Sequence, residues 1–416
     1  MSNIVYTLLS GIILLNFSYL CYRYSRSVVS PAFTFSSVWA VSLVFLSITP
    51  LMGFYAVNSF SVLIFIFGAI VFSLTSLSIQ FISACLQKSK KSGQLETLNY
   101  DKLLVFFIAI SIIFLPLLVI EIMSYGSSVP EIAYNLRQAT LNGEKIGSFF
   151  TANYFVIAYF LSILFIYAIS KKLVRITPVI LSLVPFLALT LLLTGRSALI
   201  SLILAWVFTY VFSGGKISIK VATSFFVAFM LVLVLGATLV SKVDVAEASL
   251  GESIYILLVH IVDYLFQGPV LFSHYFDNQI HIRESWDTLN SVCHALSKLG
   301  LCTPISNVHA DDAYFGNNKL GNVYSMYFAI FPHYSYIGIV FFIVLYSSLC
   351  TYFFEKAKHG SVFSLVASGF LYSAIVLSIY KDGFGSAFWL FIKFYLISIA
   401  IVALFSNRGL FNRIKT

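Results

Sequence analysis

The chain has 416 residues, of which 60% are hydrophobic and only 10% charged, with a mean hydropathy of +0.95. A water-soluble domain carries roughly 25% charged residues, so a soluble globular reading is excluded and lipid must cover much of the apolar surface. The net charge of +9 does not indicate nucleic acid, because Lys and Arg come in twos and threes between apolar runs, the pattern that orients helices in a bilayer.

Eleven apolar stretches long enough to span a hydrocarbon core follow one another at 4–22, 33–52, 58–86, 103–125, 150–169, 177–193, 197–212, 217–240, 324–354, 361–379 and 387–405. They stay apolar instead of alternating, which excludes a β-barrel. The prediction is an all-α polytopic membrane protein, one integral membrane domain over 1–416. If every run crosses once, sixteen basic and three acidic residues share one side, against eight basic and twelve acidic residues on the other. The basic side is then cytoplasmic, with the N-terminus outside and the C-terminus inside. Arg23 and Arg26 follow the first run, so it reads as a retained helix and not as a leader.

Two external segments are large, 126–149 and 241–323. Inside the second, 255–276 is apolar but interrupted by His260, Asp263, Gln267, Gly268, Pro269 and His274. It reads as an interfacial or re-entrant helix pair packed over the bundle. Cys293 and Cys302 fall in the same loop, either as a disulfide in an oxidising compartment or as free thiols. Zinc on Cys293, His294 and Cys302 is the weaker reading, since that spacing matches no closed site.

Charged groups are scarce enough that each carries information. Arg196, in Thr194-Gly195-Arg196-Ser197 at the external mouth of a hairpin, can grip a phosphate bidentately beside a helix N-terminus; snorkelling to headgroups is the alternative. Arg137 shares that side of the membrane and could help neutralise a diphosphate, or be solvated. Arg283 is a third candidate anion ligand. Pro332 should break the apolar run 324–354, leaving a short helix at the membrane surface with His333 at the kink. His333 there is a candidate base, with Asp311, Asp312, His281 and His309 as others, or a hydrogen-bonded interfacial His. Trp286, Tyr314, Asn318 and Asn322 belong to an aromatic and amide-rich surface suited to saccharide. Lys381 and Asp382 read as a local ion pair in a small hairpin before the last span.

Ser30-Pro31-Ala32-Phe33 leading to Trp39, the Thr194-Gly195-Arg196 turn, the large external loop, and Gly321-Asn322-Val323-Tyr324 followed by a Pro/aromatic stretch ending in Gly338 together resemble the bacterial oligosaccharide repeat-unit polymerases, the O-antigen polymerase family called Wzy. The resemblance covers nearly the whole chain in layout. It implies a GT-C-like glycosyltransferase in the bacterial inner membrane that needs no metal or other cofactor. Such an enzyme joins undecaprenyl-diphosphate-linked repeat units at the periplasmic face in lipopolysaccharide biosynthesis. A flippase and a chain-length regulator would be its partners, with Arg137, Arg196 and Arg283 as the loop arginines. Many relatives have an acid before an aromatic-Gly pair where this chain has His333-Tyr334-Ser335. O-antigen ligase chemistry and a lipid-linked oligosaccharide flippase are the competing readings. A transporter would show polar or broken helices at midplane.

Overall fold

The structure, a computed structural model, describes residues 2–86, 93–141, 149–192, 196–216, 250–277, 288–297, 299–303, 312–385 and 388–406, with single positions at 218, 223 and 227. Within these the chain is all-α apart from one small β-hairpin. The helices are α1 Ser2–Ser25, α2 Pro31–Ile48, α3 Ser59–Leu86, α4 Gln94–Thr97, α5 Tyr100–Met123, α6 Val129–Leu141, α7 Phe149–Ser170, α8 Ile176–Leu192, α9 Arg196–Phe212, α10 Leu250–Phe276, α11 Asn290–Ser297, α12 Met326–Lys358, α13 Val362–Leu377 and α14 Phe388–Phe405. Strands β1 Ala313–Gly316 and β2 Lys319–Gly321 pair antiparallel.

Six helices, α1, α2, α3, α5, α7 and α12, are long and apolar enough to cross a membrane, and α8, α9, α13 and α14 are shorter apolar helices. This is a multi-pass membrane protein. The expected span over 217–240 lies outside the described residues. Helix starts follow local chemistry. Asn58 Oδ1 accepts the Ser61 amide (2.6 Å) and Asn99 Oδ1 the Lys102 amide (3.1 Å), each satisfying a first-turn N–H. Pro31 opens α2, where its missing N–H costs nothing.

The expected single domain divides into two compact units, both discontinuous in sequence. The first holds Met1–Ser89, Leu258–Glu355 and Leu371–Trp389, and the second Lys90–Leu257, Lys356–Phe370 and Leu390–Thr416. The first unit is built on aromatics. Trp39, Phe35, Phe65, Phe72, Phe272 and Tyr327 are all fully buried, with Phe35 stacked on Phe72 (4.0 Å) and Trp39 on Phe65 (4.8 Å). Such pairs contribute about 0.5–1.5 kcal/mol each beyond area burial. Small hydroxyls join the helices: Ser347 donates to the Phe72 carbonyl (2.6 Å), Thr351 to Ser76 (2.8 Å), and Trp39 Nε1 to Ser378 (3.1 Å). Inside lipid, where apolar burial no longer drives association, such hydrogen bonds and close packing do.

In the second unit α6 packs on the C-terminal end of α5. Leu118 and Ile122 pack on Ile132 and Leu136, with Phe155 of α7 against them. Tyr154 bonds Ser111 (3.3 Å) and Trp206 Nε1 donates to Ser162 (3.0 Å). Backbone bonds from Leu95 to Gly360 (2.9 Å) and from Asn99 to Phe405 (2.8 Å) gather residues 93–99, 360 and 405 at one end.

Two expectations about the outer segments change. Residues 255–276 form part of one continuous helix, α10, and not a pair. From Asp263 onward its contacts are with residues flanking the α2–α3 connection: Phe266 with Phe45 (5.7 Å), Ser273 with Asn58 (2.9 Å), His274 with Tyr55 (4.6 Å) and Phe276 with Phe60 (5.5 Å). Gly268 approaches Ser325 and Ile379 so closely that a Cβ would fall 2.6 Å from the Ile379 carbonyl oxygen. Pro269 costs one backbone bond without ending the helix, which this packing holds together.

The second change concerns α12, which is two helices. The break is at Ser335, with φ 54° and ψ −155°, three residues beyond Pro332. Tyr334 packs on Phe342 (5.1 Å), and a Cβ on Gly338 would lie 3.5 Å from Ile330. Both Tyr327 and Ile343 press on Gly68. In a straight helix 327 and 343 would be about 24 Å apart, so the arm 326–334 folds back beside the arm 336–358. It is a helical hairpin whose short arm is largely buried in the unit.

Candidate functional site

The apex of this hairpin holds His333, which is exposed, and exposed Ser335. Aromatic contacts fix the short arm beneath them. Phe328 stacks on Tyr324 (4.2 Å) and meets Tyr275 edge-on (5.1 Å), while Phe331 contacts Phe272 (5.8 Å), Phe276 (5.4 Å) and Tyr336 (5.3 Å). The positive φ of Ser335 belongs to a region that side chains other than hydrogen enter at a cost of about 1–3 kcal/mol. Such a conformation persists only where its surroundings dictate it.

From the apex an apolar groove of about 660 Å³ runs down the long arm, lined by Ile337, Val340, Phe341, Val344, Leu345 and Ser348. The spacing i, i+3, i+4, i+7, i+8, i+11 is one helix face. Ile337, at the end nearest the apex, is 84% exposed. An exposed imidazole thus stands four residues from the start of an open apolar helix face.

A second group surrounds the β-hairpin. Lys319 Nζ pairs with Asp263 Oδ1 at 2.6 Å and lies 5.0 Å from the Phe54 ring centroid. The side chains are only 17% and 23% exposed. The hairpin docks on the turn between α2 and α3 through Tyr55 N–H to the Phe315 carbonyl (3.0 Å) and Asn317 N–H to the Gly53 carbonyl (2.9 Å). Tyr314 and Leu320 are directly paired and both exposed, so they share the solvent face. Asn322 is exposed just beyond β2, and Asp312 just before β1. Asn318 has φ 57° in the hairpin turn, a conformation asparagine tolerates better than most residues; the backbone alone gives a reason for its identity.

A third group was not legible as a site. The Lys381-Asp382 connection is more than a local ion pair in a hairpin: Asp382 is buried at 6% exposure. Its Oδ1 accepts the amides of Phe384 (2.9 Å) and Gly385 (3.3 Å). Its Oδ2 accepts the Thr288 hydroxyl and lies 3.5 Å from the Tyr346 hydroxyl, which itself contacts Thr288 Oγ1. The neighbouring Ser347 bonds Phe72, thirteen residues from the start of α3, or about 20 Å along its axis. A carboxylate at that depth is costly unless hydrogen-bonded, and four donors supply that need. Sequence reasoning missed it because Asp382 follows a Lys in a short connection. The available signal was Asp382-Gly383-Phe384-Gly385, an Asx-type turn with two small residues that let the backbone come close.

The structure gathers Asp312, Tyr314, Asn318, Asn322 and His333 in one unit. Arg137, in α6, and Arg196, the first residue of α9, belong to the other; their side chains, and all of Arg283, Trp286, Asp311, His281 and His309, lie outside the described residues. Cys293 and Cys302 form a disulfide, with Cα atoms 5.5 Å apart, so the zinc alternative for those two thiols is set aside. Among the described residues no cluster of three His, Cys, Asp or Glu could hold a metal ion. Compared with known proteins, the chain matches no family model, no curated protein and no solved structure.

Proposed function

We propose that this protein is a membrane glycosyltransferase of the O-antigen polymerase kind, with a GT-C-like architecture, acting on undecaprenyl-diphosphate-linked oligosaccharides at the outer face of the bacterial inner membrane. The observation that carries the reading is the exposed His333 at a helical apex from which the apolar groove of Ile337 to Ser348 descends. A reaction on a lipid-linked sugar needs a polar reacting group and an apolar track meeting at the boundary. In this reading His333 accepts the acceptor hydroxyl's proton, with Asp312 and Asp311 as the alternative bases. Arg196, Arg137 and Arg283 neutralise the departing diphosphate. Tyr314, Asn322 and Trp286 face the glycan. The reaction forms one glycosidic bond as the bond to the lipid diphosphate breaks, and the hydroxyl proton leaves on the base.

The test is the lipopolysaccharide banding pattern of a deletion strain complemented with native and His333→Ala chains. A single-repeat product in the deletion, long chains with the native gene, and single repeats again with an inserted His333→Ala variant are expected. Core only in the deletion sinks the polymerase reading and moves the assignment to a ligase or to a step upstream.

A transporter of lipid-linked oligosaccharide keeps a place because of two observations, the broken helix at Ser335 and the carboxylate of Asp382 inside the unit. Both are features of transport pathways. Lipid-linked units accumulating in the cytoplasmic leaflet of the deletion strain would select it.

A further inference from the structure

Thr288 touches both arms of the α12 hairpin at once. Its amide donates to the Ala329 carbonyl in the short arm (3.2 Å), and its hydroxyl meets the Tyr346 hydroxyl in the long arm. That same hydroxyl donates to Asp382. Asp382 is in turn fixed by the amides of Phe384 and Gly385, and the Phe384 ring lies flat on Tyr346, 4.3 Å away with 13° between planes. A Cβ on Gly385 would overlap the Thr288 carbonyl oxygen, so the turn closes on Thr288 only with glycine there. Thr288, Tyr346 and Asp382 are each at most 6% exposed, and water cannot take over their hydrogen bonds without opening the unit.

We propose that Asp382, acting through Thr288 and Tyr346, is a positioning residue that sets how the two arms meet and so where the apex carrying His333 stands. A packed aromatic interface alone leaves sliding and rotation of one arm cheap. A carboxylate with directional donors from three chain segments does not. The strained Ser335 link is held in place by the same clamp, since its conformation is one the chain would otherwise leave. The clamp is independent of what the protein does; its role in setting His333 for reaction rests on the glycosyltransferase reading.

The experiment places a single reporter, Ser335→Cys, at the apex and follows its labelling by a membrane-impermeant maleimide added from the outer side, in full-length protein in native membranes. Thr288→Val removes the hydroxyl at nearly constant shape, Thr288→Ser restores it, and Asp382→Asn removes the charge while keeping the size. The labelling rate is expected to change by about tenfold in Thr288→Val and Asp382→Asn, the consequence of one lost hydrogen bond to a charged group, and to return with Thr288→Ser. Unchanged labelling of a normally inserted Thr288→Val chain overturns the clamp.

In the Ser335 background the same variants are assayed for polymer. Loss of kcat with an unchanged KM for the lipid-linked acceptor, rescued by Thr288→Ser, is the outcome expected of positioning. Activity that falls only in step with protein abundance overturns that role. Native membranes that make no polymer count against the function while leaving the labelling result to decide the clamp.

Discussion

At the scale of single residues, partner and depth decide what a charge does. Lys319 and Asp263 were legible only as external charges, yet they form a half-buried pair under a ring. Removing one partner leaves the other desolvated without compensation. Lys319→Ala is therefore expected to lower stability by about 1–3 kcal/mol, read as a drop in thermal unfolding temperature in micelles. The double change Lys319→Ala with Asp263→Ala should cost less than the sum of the singles, and strict additivity would deny the pairing. Glu131 behaves differently because it is exposed. The Ser127 amide and hydroxyl donate to its Oε2 at 2.9 and 2.8 Å, and these bonds hold its carboxyl below the usual range. The folded value lies below the unfolded one, so the contribution is present above the ordinary pKa of about 4.3 and is lost as pH falls through the depressed folded value. Hydrogen exchange at the Ser127 amide, corrected for intrinsic rate, should show protection vanishing in that acid window and absent throughout in Glu131→Gln. Protection that survives both treatments would mean that the carboxylate does not cap α6.

At the scale of elements, apolar length located the helices well and their faces poorly. α3 shows why: Phe65 is fully buried and Phe67, two residues on, is 51% exposed. Lipid solvates Phe as well as a neighbouring helix does, so composition does not distinguish inside from outside. The break in α12 was legible in kind from Pro332 but not in place. Proline removes the bond to Phe328 without forbidding the next turn, and the chain turns only where Gly338 allows the arms to meet. Because Ser335 sits at φ 54°, Ser335→Gly should stabilise the hairpin by about 1 kcal/mol, and Ser335→Val should destabilise it by more. Equal unfolding temperatures for the three chains would show that the link carries no strain. The candidate site divides in the same way. Cys293 with Cys302 and the exposed hairpin polar residues were visible from loop composition. The bonds among Thr288, Tyr346 and Asp382 join residues 36 to 94 positions apart, and no local pattern announces them.

At the scale of the whole molecule, charge counting assigned sides by assuming that each run crosses once, and each unit offers an independent check on that assumption. Residues 53–55 and 315–317, separated by the six predicted runs from 58–86 to 217–240, are joined by backbone hydrogen bonds in the first unit. Charge counting puts both outside. Residues 93–99, 360 and 405 are joined in the second, and charge counting puts all of these inside. A miscount by one helix between any such pair would send hydrogen-bonded neighbours to opposite sides of a bilayer, which a core of about 30 Å forbids. Cysteines introduced singly at Asn317 and Ala56 should therefore react with impermeant maleimide from the same side, and cysteines at Thr97 and His359 from the same side as each other. On the expectation drawn from the sixteen-to-three basic excess, the first pair should react from outside and the second from the cytoplasm. Reaction of Asn317→Cys and His359→Cys from one side would refute the orientation even with both pairs intact.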